Sequence, residues 1–137
     1  MGDCATRWVV NNEVQAKIIG HKLNLKQIPA QNQFKVFKNE IQTIWLIVSG
    51  NGESRTALAT AYLNRISYAP KWALWIHIGE GFSIRGKPRG AFFVDKVTQQ
   101  RTGNVFYTSV VIEPNMPRAS LLTIDDFALG TDKTDLF

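Results

Sequence analysis

The chain has 137 residues, a formal net charge of +5, and 45% hydrophobic and 20% charged residues, which is the composition of one ordinary soluble domain over residues 1–137. No apolar run approaches the ~20 residues that a membrane-spanning helix needs, and the N-terminal residues lack the pattern of a secretory signal. The single cysteine, Cys4, cannot form an internal disulfide, which indicates a cytoplasmic protein.

Predicted strands and helices alternate along the chain. The segments with the apolar or alternating patterns typical of strands are residues 6–10, 33–39, 40–49, 71–79, 90–99, 104–112 and 119–127. Two segments with helical patterns lie between them, residues 11–23 and 53–66. The sequence QRTGN, residues 100–104, has the glycine and asparagine of a hairpin turn. This order of strands and helices along the chain predicts an α/β fold.

Packing of the two helices can also be predicted from the sequence. Asn11 or Asn12 can cap the first helix. The apolar side chains that the helices can present on one face are Val14, Ile18 and Ile19 in the first, and Ala57, Leu58 and Ala61 in the second.

The predicted architecture is a three-layer domain with a central mixed β-sheet. We expect residues 45–49 and 72–78 to form inner strands, because both runs are apolar and nearly continuous. The helix over residues 54–66 should pack on one face of the sheet. His77 lies inside the second of these strands, and we interpret it as a core histidine.

The turn SGNG, Ser49 to Gly52, leaves a predicted central strand and enters a helix. Its glycines permit left-handed dihedral angles and the close approach of a ligand, and the free N–H groups of a helix start favour an anion. Ordinary turn chemistry explains the same residues. The turn lacks the third glycine of a dinucleotide fingerprint and the Gly-Lys-Ser/Thr of a P-loop.

The order of several segments is similar to that of a known family. Glu13 and Val14 follow the first strand, LIVSGNGESRTALATAYL joins a strand to a helix, and WIHIGEGF, TGNVFYTSVV and LLTIDDF follow. This order resembles the nucleoside phosphorylase and nucleosidase superfamily, which includes purine nucleoside phosphorylases and methylthioadenosine/S-adenosylhomocysteine nucleosidases. The resemblance extends over about residues 5–137 and implies a phosphorylase/hydrolase-like fold.

The resemblance implies roles for particular residues. Glu13 matches a glutamate that helps to position the attacking water, although a surface carboxylate at a helix start explains it equally well. The residues that match substrate-binding positions are Ser49, Gly50 and Gly52 in the first glycine turn, Gly79 and Glu80 in the second, and Phe127 in a segment that stacks on the base. Phe127 is equally well explained as a core aromatic.

Two departures from the family pattern qualify these roles. Glu80 stands near the place of a serine that contacts phosphate or the attacking water, and its carboxylate disfavours phosphate as a co-substrate. In the family, a Met-Glu segment that grips the ribose and an aspartate that protonates the purine follow the point that matches Phe137. We therefore expect a C-terminally truncated form of the fold, nearly inactive by itself.

Three functions stay open from the sequence. The first is cleavage of the N-glycosidic bond of a purine-type nucleoside, by hydrolysis rather than phosphorolysis, without a metal or cofactor. The second is a catalytically inactive remnant that binds a nucleoside weakly or contacts proteins, and in both cases we expect a homo-oligomer. The third, nucleic-acid binding, is the least favoured, because the basic residues are scattered and their densest group, Arg85, Lys87 and Arg89, resembles a solvated turn.

Overall fold

The computed structural model describes residues 5–29, 34–82, 90–108 and 115–124. The chain divides into two compact units, Met1–Glu80 and Gly81–Phe137. The elements of the first unit are β1 (Thr6–Val10), α1 (Glu13–Lys22), β2 (Lys26–Gln27), β3 (Val36–Lys38), β4 (Ile44–Val48), α2 (Glu53–Ser67) and β5 (Leu74–Ile78). Those of the second are β6 (Phe93–Gln99), β7 (Val105–Tyr107) and β8 (Arg118–Thr123). A single domain over residues 1–137 stays a prediction.

The first unit is built on a mixed five-stranded sheet with the order β2-β3-β4-β1-β5. β1 pairs in parallel with both β4 and β5, and β3 pairs antiparallel with β4. β4 is apolar throughout, and Val10, Leu46 and Ile47 are fully buried. Such near-continuous apolar runs are typical of parallel strands that are covered on both faces.

One helix covers each face of this sheet. On one face, Ala59 and Leu63 of α2 belong to the same core cluster as Trp45 and Ile47 of β4. On the other face, Ala16 of α1 packs with Val10 and Leu46. The first unit is therefore a three-layer α/β structure, as the sequence predicted.

The predicted inner position of residues 72–78 is wrong for the described strands. β5 begins at Leu74 and lies at the sheet edge, with β1 as its only described neighbour. Every residue of β5 keeps at least partial exposure, in contrast to β4. An apolar run predicts a strand but does not specify its place in the sheet, which depends on pairing with strands distant in sequence.

The helix faces that pack on the sheet differ in part from the prediction, since Ile19 of α1 packs against the core as expected. Val14 and Ile18 of α1 are 67% and 56% exposed, and Ala16 and Gly20 are buried in their place. Residues four positions apart lie on the same side of a helix, so Ala16 and Gly20 are buried together.

In α2 the same shift occurs. The predicted packing residues Ala57, Leu58 and Ala61 are exposed. The buried residues are instead Ala59, Leu63 and Ser67, which recur every four positions along the other side of the helix.

The start of α1 is closed by two hydrogen bonds that resemble a capping box, shifted by one residue. The Asn12 side chain accepts a hydrogen bond of 2.9 Å from the Gln15 backbone N–H, and the Gln15 side chain accepts one of 2.9 Å from Asn11. This arrangement satisfies backbone donors that a helix start leaves free. It confirms Asn12 as the N-cap and holds Glu13 in the first helical position.

A buried arginine ties α2 to the sheet. Arg7 of β1 is only 2% exposed. Its Nε donates to Ser67 Oγ over 2.8 Å, and its Nη2 donates to the Ser67 carbonyl over 3.1 Å. Its Nη1 donates to the carbonyls of Thr6 and Thr43. Burial lowers the pKa of Arg7. The guanidinium thus satisfies carbonyls at the end of a helix and beside β4.

The second unit contains a three-stranded sheet with the order β7-β6-β8. β6 pairs antiparallel with β7, which confirms the hairpin predicted from QRTGN, and parallel with β8 across an irregularity between Val94 and Lys96. Gly103 has φ of 74° in the hairpin turn, where glycine is favoured. In the described part of both units, no helix is long and apolar enough to cross a membrane.

Candidate functional site

The carboxyl ends of three strands lie along one end of the five-stranded sheet, which we call its carboxyl edge. Because β1 is parallel to β4 and to β5, the segments that follow Val10, Val48 and Ile78 lie at the same edge. These segments contain the candidate residues Glu13, Ser49 and Gly79. Open α/β sheets bind their ligands at this edge.

The turn between β4 and α2 is tied firmly to β1. The Ser49 backbone N–H donates to the Val10 carbonyl over 2.8 Å, and the Gly50 N–H donates to the Asn11 carbonyl over 3.1 Å. Ser49 is 2% exposed, and its Oγ lies 2.8 Å from the Gly50 carbonyl oxygen. Gly50 and Gly52 have φ of 81° and 103°, values that L side chains rarely adopt. The glycines are therefore required by the turn itself.

A cleft of about 280 Å³ opens beside this turn. Its lining residues are Glu13, Phe34, Lys35, Val48, Ser49, Gly50, Arg55 and Leu58. Aromatic and aliphatic side chains form one part of the wall, and the charged side chains of Glu13, Lys35 and Arg55 form another. An apolar wall with a few polar groups is the usual composition of a small-molecule site.

Two of the three charged groups in the cleft, Glu13 and Lys35, form a pair with each other. Lys35 forms an ion pair and hydrogen bond with Glu13 Oε1. This hydrogen bond and the charge of Lys35 lower the pKa of Glu13, and Lys17 adds a smaller effect of the same sign. Arg55 lies over the Gly50 backbone. At neutral pH the cleft therefore contains an ionised carboxylate and two cations.

The second glycine turn lies on the other side of β1. The Asn11 side chain packs against Gly79 so closely that a Cβ there would lie 3.0 Å from Asn11 Nδ2. Asn12 Nδ2 donates to Glu80 Oε1 over 3.3 Å. Gly79 and Glu80 thus lie at the carboxyl edge of the sheet, as Glu13 and Ser49 do, but they do not line the same cleft. Phe127 lies outside the described residues.

His77 is not a core residue. Its side chain is exposed near the end of the edge strand β5, and its Nε2 lies 3.3 Å from Asn11 Oδ1. The interpretation from sequence was wrong because β5 has a neighbouring strand on only one side among the described residues. Partial burial of the ring still lowers the pKa of His77.

This lowered pKa predicts a pH effect on stability. The unfolded chain binds a proton at His77 more readily than the folded chain, so the free energy of unfolding should fall as pH falls below ~6.5. Urea unfolding at about pH 7.5 and about pH 5.5 measures the effect. In His77→Gln the free energy of unfolding should fall less between these two pH values than in the parent. His21→Gln, which alters an exposed histidine of α1, is the control and should show the same fall as the parent. An equal decline in His77→Gln and the parent would contradict the prediction.

Substitution of Gly50 tests the geometry of the first turn. Gly50→Ala should lower the free energy of unfolding by ~1–2 kcal/mol, because alanine is strained at positive φ. The new Cβ would also lie 2.9 Å from Arg55 Nη1. Gly20→Ala is the control. Gly20 lies in α1, where an added Cβ would lie 4.0 Å from Leu25 Cβ, and the substitution should raise the free energy of unfolding by ~0.5–1 kcal/mol. Thermal and urea unfolding compare the two, and equal stabilities would contradict the argument.

Sequence reasoning missed Lys35, Arg55 and Asn11. Lys35 belongs to an alternating strand pattern, in which lysine normally marks a solvent-facing position. Arg55 falls in the first turn of α2, and Asn11 was considered only as a cap. Position after a strand was the one available signal for Asn11 and Arg55, whereas Lys35 precedes β3 and comes near the carboxyl end of β4 only through antiparallel pairing.

Among the described residues, no group of three or more histidine, cysteine, aspartate or glutamate side chains is placed to hold a metal ion. The site is thus described by its carboxylate, its two cations and its glycine turn.

Of the comparisons with known proteins, the one with solved structures is informative. No protein-family model matches the sequence, and no curated protein is significantly similar to it. The structure is similar to that of 5'-methylthioadenosine/S-adenosylhomocysteine nucleosidase from Neisseria meningitidis in complex with methylthio-immucillin-A, with a TM-score of 0.64 and 15% sequence identity. The match covers 90% of this chain and 65% of that nucleosidase. The chain therefore has the fold of the nucleosidase, which is the fold that the sequence resemblance predicted.

Proposed function

We propose that the protein cleaves the N-glycosidic bond of a purine-type nucleoside by hydrolysis. The observation that carries this proposal is the position of Glu13, whose carboxylate lines a cleft beside the Ser49–Gly52 turn. The cleft lies at the carboxyl edge of a sheet whose fold is shared with a purine nucleosidase. Fold alone does not specify an activity, so the proposal depends on the chemistry of this cleft.

The cleft residues suit the separate requirements of the reaction. An ionised Glu13 can orient a water molecule and accept its proton as the water attacks the sugar. The glycine turn allows the ribose to approach the backbone closely. Phe34 and Leu58 supply apolar surface against the rest of the nucleoside.

Hydrolysis is proposed over phosphorolysis because the Glu13 carboxylate in the cleft can activate a water molecule. Glu13 repels a phosphate dianion at short range, whereas Lys35 and Arg55 attract it, and Glu80 lies outside the cleft. Inorganic phosphate is therefore included in the assay as a disfavoured co-substrate.

A second candidate function is nucleoside binding without catalysis. Glu13 is the only carboxylic acid among the described residues that line the cleft, and its hydrogen bond and ion pair with Lys35 lower its pKa further. A departing purine needs a proton, and an ionised carboxylate cannot donate one. This observation favours a binding function for a chain that does not release purine.

Two measurements on the full chain decide between these functions. Purine release is followed from methylthioadenosine, adenosine and inosine, with and without phosphate, and calorimetric titration uses the same nucleosides. Purine release that does not need phosphate supports hydrolysis, and release that needs phosphate overturns it. Binding without release supports the second function. The absence of both binding and release overturns both functions.

A further inference from the structure

Lys35 extends from a rigid part of the sheet. Its carbonyl accepts a hydrogen bond of 3.0 Å from the Val48 N–H of β4. The residues on either side, Phe34 and Val36, are 9% and 3% exposed and belong to the core. The Lys35 backbone is therefore fixed, and only its side chain reaches into the cleft.

Glu13 is fixed at its backbone by the Asn12 cap, but its side chain is 54% exposed. The one described group that holds the carboxylate is the Lys35 ammonium, which contacts Oε1. Oε2 is thus left to accept a hydrogen bond from water.

The other cations near Glu13 act differently. Lys17 lies one turn further along α1 and affects Glu13 through its charge without a hydrogen bond. Arg55 approaches from α2 and lies over Gly50. Only Lys35 therefore determines both the charge and the orientation of the carboxylate.

We propose that Lys35 is a positioning residue for Glu13: its ammonium holds one carboxylate oxygen and directs the other toward the attacking water. This inference rests on the proposed hydrolytic function. Lys35 also keeps Glu13 ionised, so its removal should move the acid limb of the pH–rate profile to higher pH, where the uncharged form of Glu13 begins to accumulate.

The test compares Lys35→Gln and Lys35→Arg with the parent in the full chain. The first readout is the pH titration of the Glu13 side-chain carbonyl carbon by NMR, with the Glu40 signal as internal reference. The second is the pH profile of kcat/KM for purine release. Lys22→Gln is the control, because Lys22 lies at the far end of α1.

In Lys35→Gln we expect the Glu13 titration and the acid limb to move to higher pH together, with kcat/KM reduced by up to about fivefold at the acid limb. The loss should be in kcat rather than KM, because the nucleoside still meets the same apolar wall and glycine turn. Lys35→Arg should restore most of the parent behaviour, since it keeps the charge and the hydrogen bond. An unchanged Glu13 titration in Lys35→Gln overturns the inference, as does a shifted titration with an unchanged pH–rate profile.

Absence of purine release from every variant, the parent included, overturns the proposed function and with it the catalytic part of the inference. The NMR titration distinguishes this outcome, because it reports the effect of Lys35 on Glu13 without turnover.

Discussion

Replacement of Glu13 by glutamine is expected to reduce the rate of purine release by a factor of roughly 10²–10⁴. Glutamine has the same shape as glutamate but cannot accept a proton from water. The substitution also removes the ion pair with Lys35, but both side chains are about half exposed, and such pairs contribute little to stability. We therefore expect the circular dichroism spectrum and the urea midpoint to stay close to those of the parent.

Glu40→Gln is the matched control, since Glu40 is exposed in the turn between β3 and β4. It should release purine at the parent rate. Retention of more than about a third of the parent rate in Glu13→Gln would show that Glu13 does not act on the water, because general acid–base groups have far larger effects. Loss of rate together with unfolding would be seen in the same spectra and would not count in favour of the role.

Replacement of Arg7 by alanine is expected to cost about 2–4 kcal/mol of unfolding free energy. The side chain makes hydrogen bonds to Ser67 Oγ and to the carbonyls of Ser67 and Thr43. Truncation removes these hydrogen bonds beside a cavity. The Thr43 carbonyl still accepts from the Thr6 backbone N–H over 3.0 Å, and the Ser67 hydroxyl still donates to the Leu63 carbonyl over 2.6 Å. The loss therefore falls mainly on the Ser67 carbonyl.

Urea unfolding followed by circular dichroism measures this cost. Arg7→Met is the second variant, because it keeps much of the apolar stem and should show how much of the loss is due to the hydrogen bonds. Arg101→Ala, in the exposed turn between β6 and β7, should change stability by less than about 0.5 kcal/mol. A similarly small change in Arg7→Ala would contradict the anchoring role of Arg7.

Most of the elements of the fold could be predicted from local sequence. The continuous apolar run of β4, the Asn12 cap of α1 and the QRTGN hairpin depend on residues close to one another in the chain. β2, with only two residues, was missed because so short a strand has no detectable periodicity. The buried face of α2 was predicted wrongly and that of α1 only in part, because each helix has more than one stripe of apolar or small residues and only contact with the sheet selects between them.

Some features of the candidate site could likewise be predicted from the sequence, and others needed the tertiary structure. The sequence by itself determined the α/β class, the strand-to-helix glycine turn, and the positions of Glu13, Ser49 and Gly79 after strands, since periodicity and turn chemistry are local properties. Only the tertiary structure decided that β5 lies at the sheet edge in the described residues, that Gly79 and Glu80 lie apart from the cleft, and that Lys35 meets Glu13. The physical reason is that these contacts join residues distant along the chain, and their pairing is set by how β1, β3, β4 and β5 assemble around a common core.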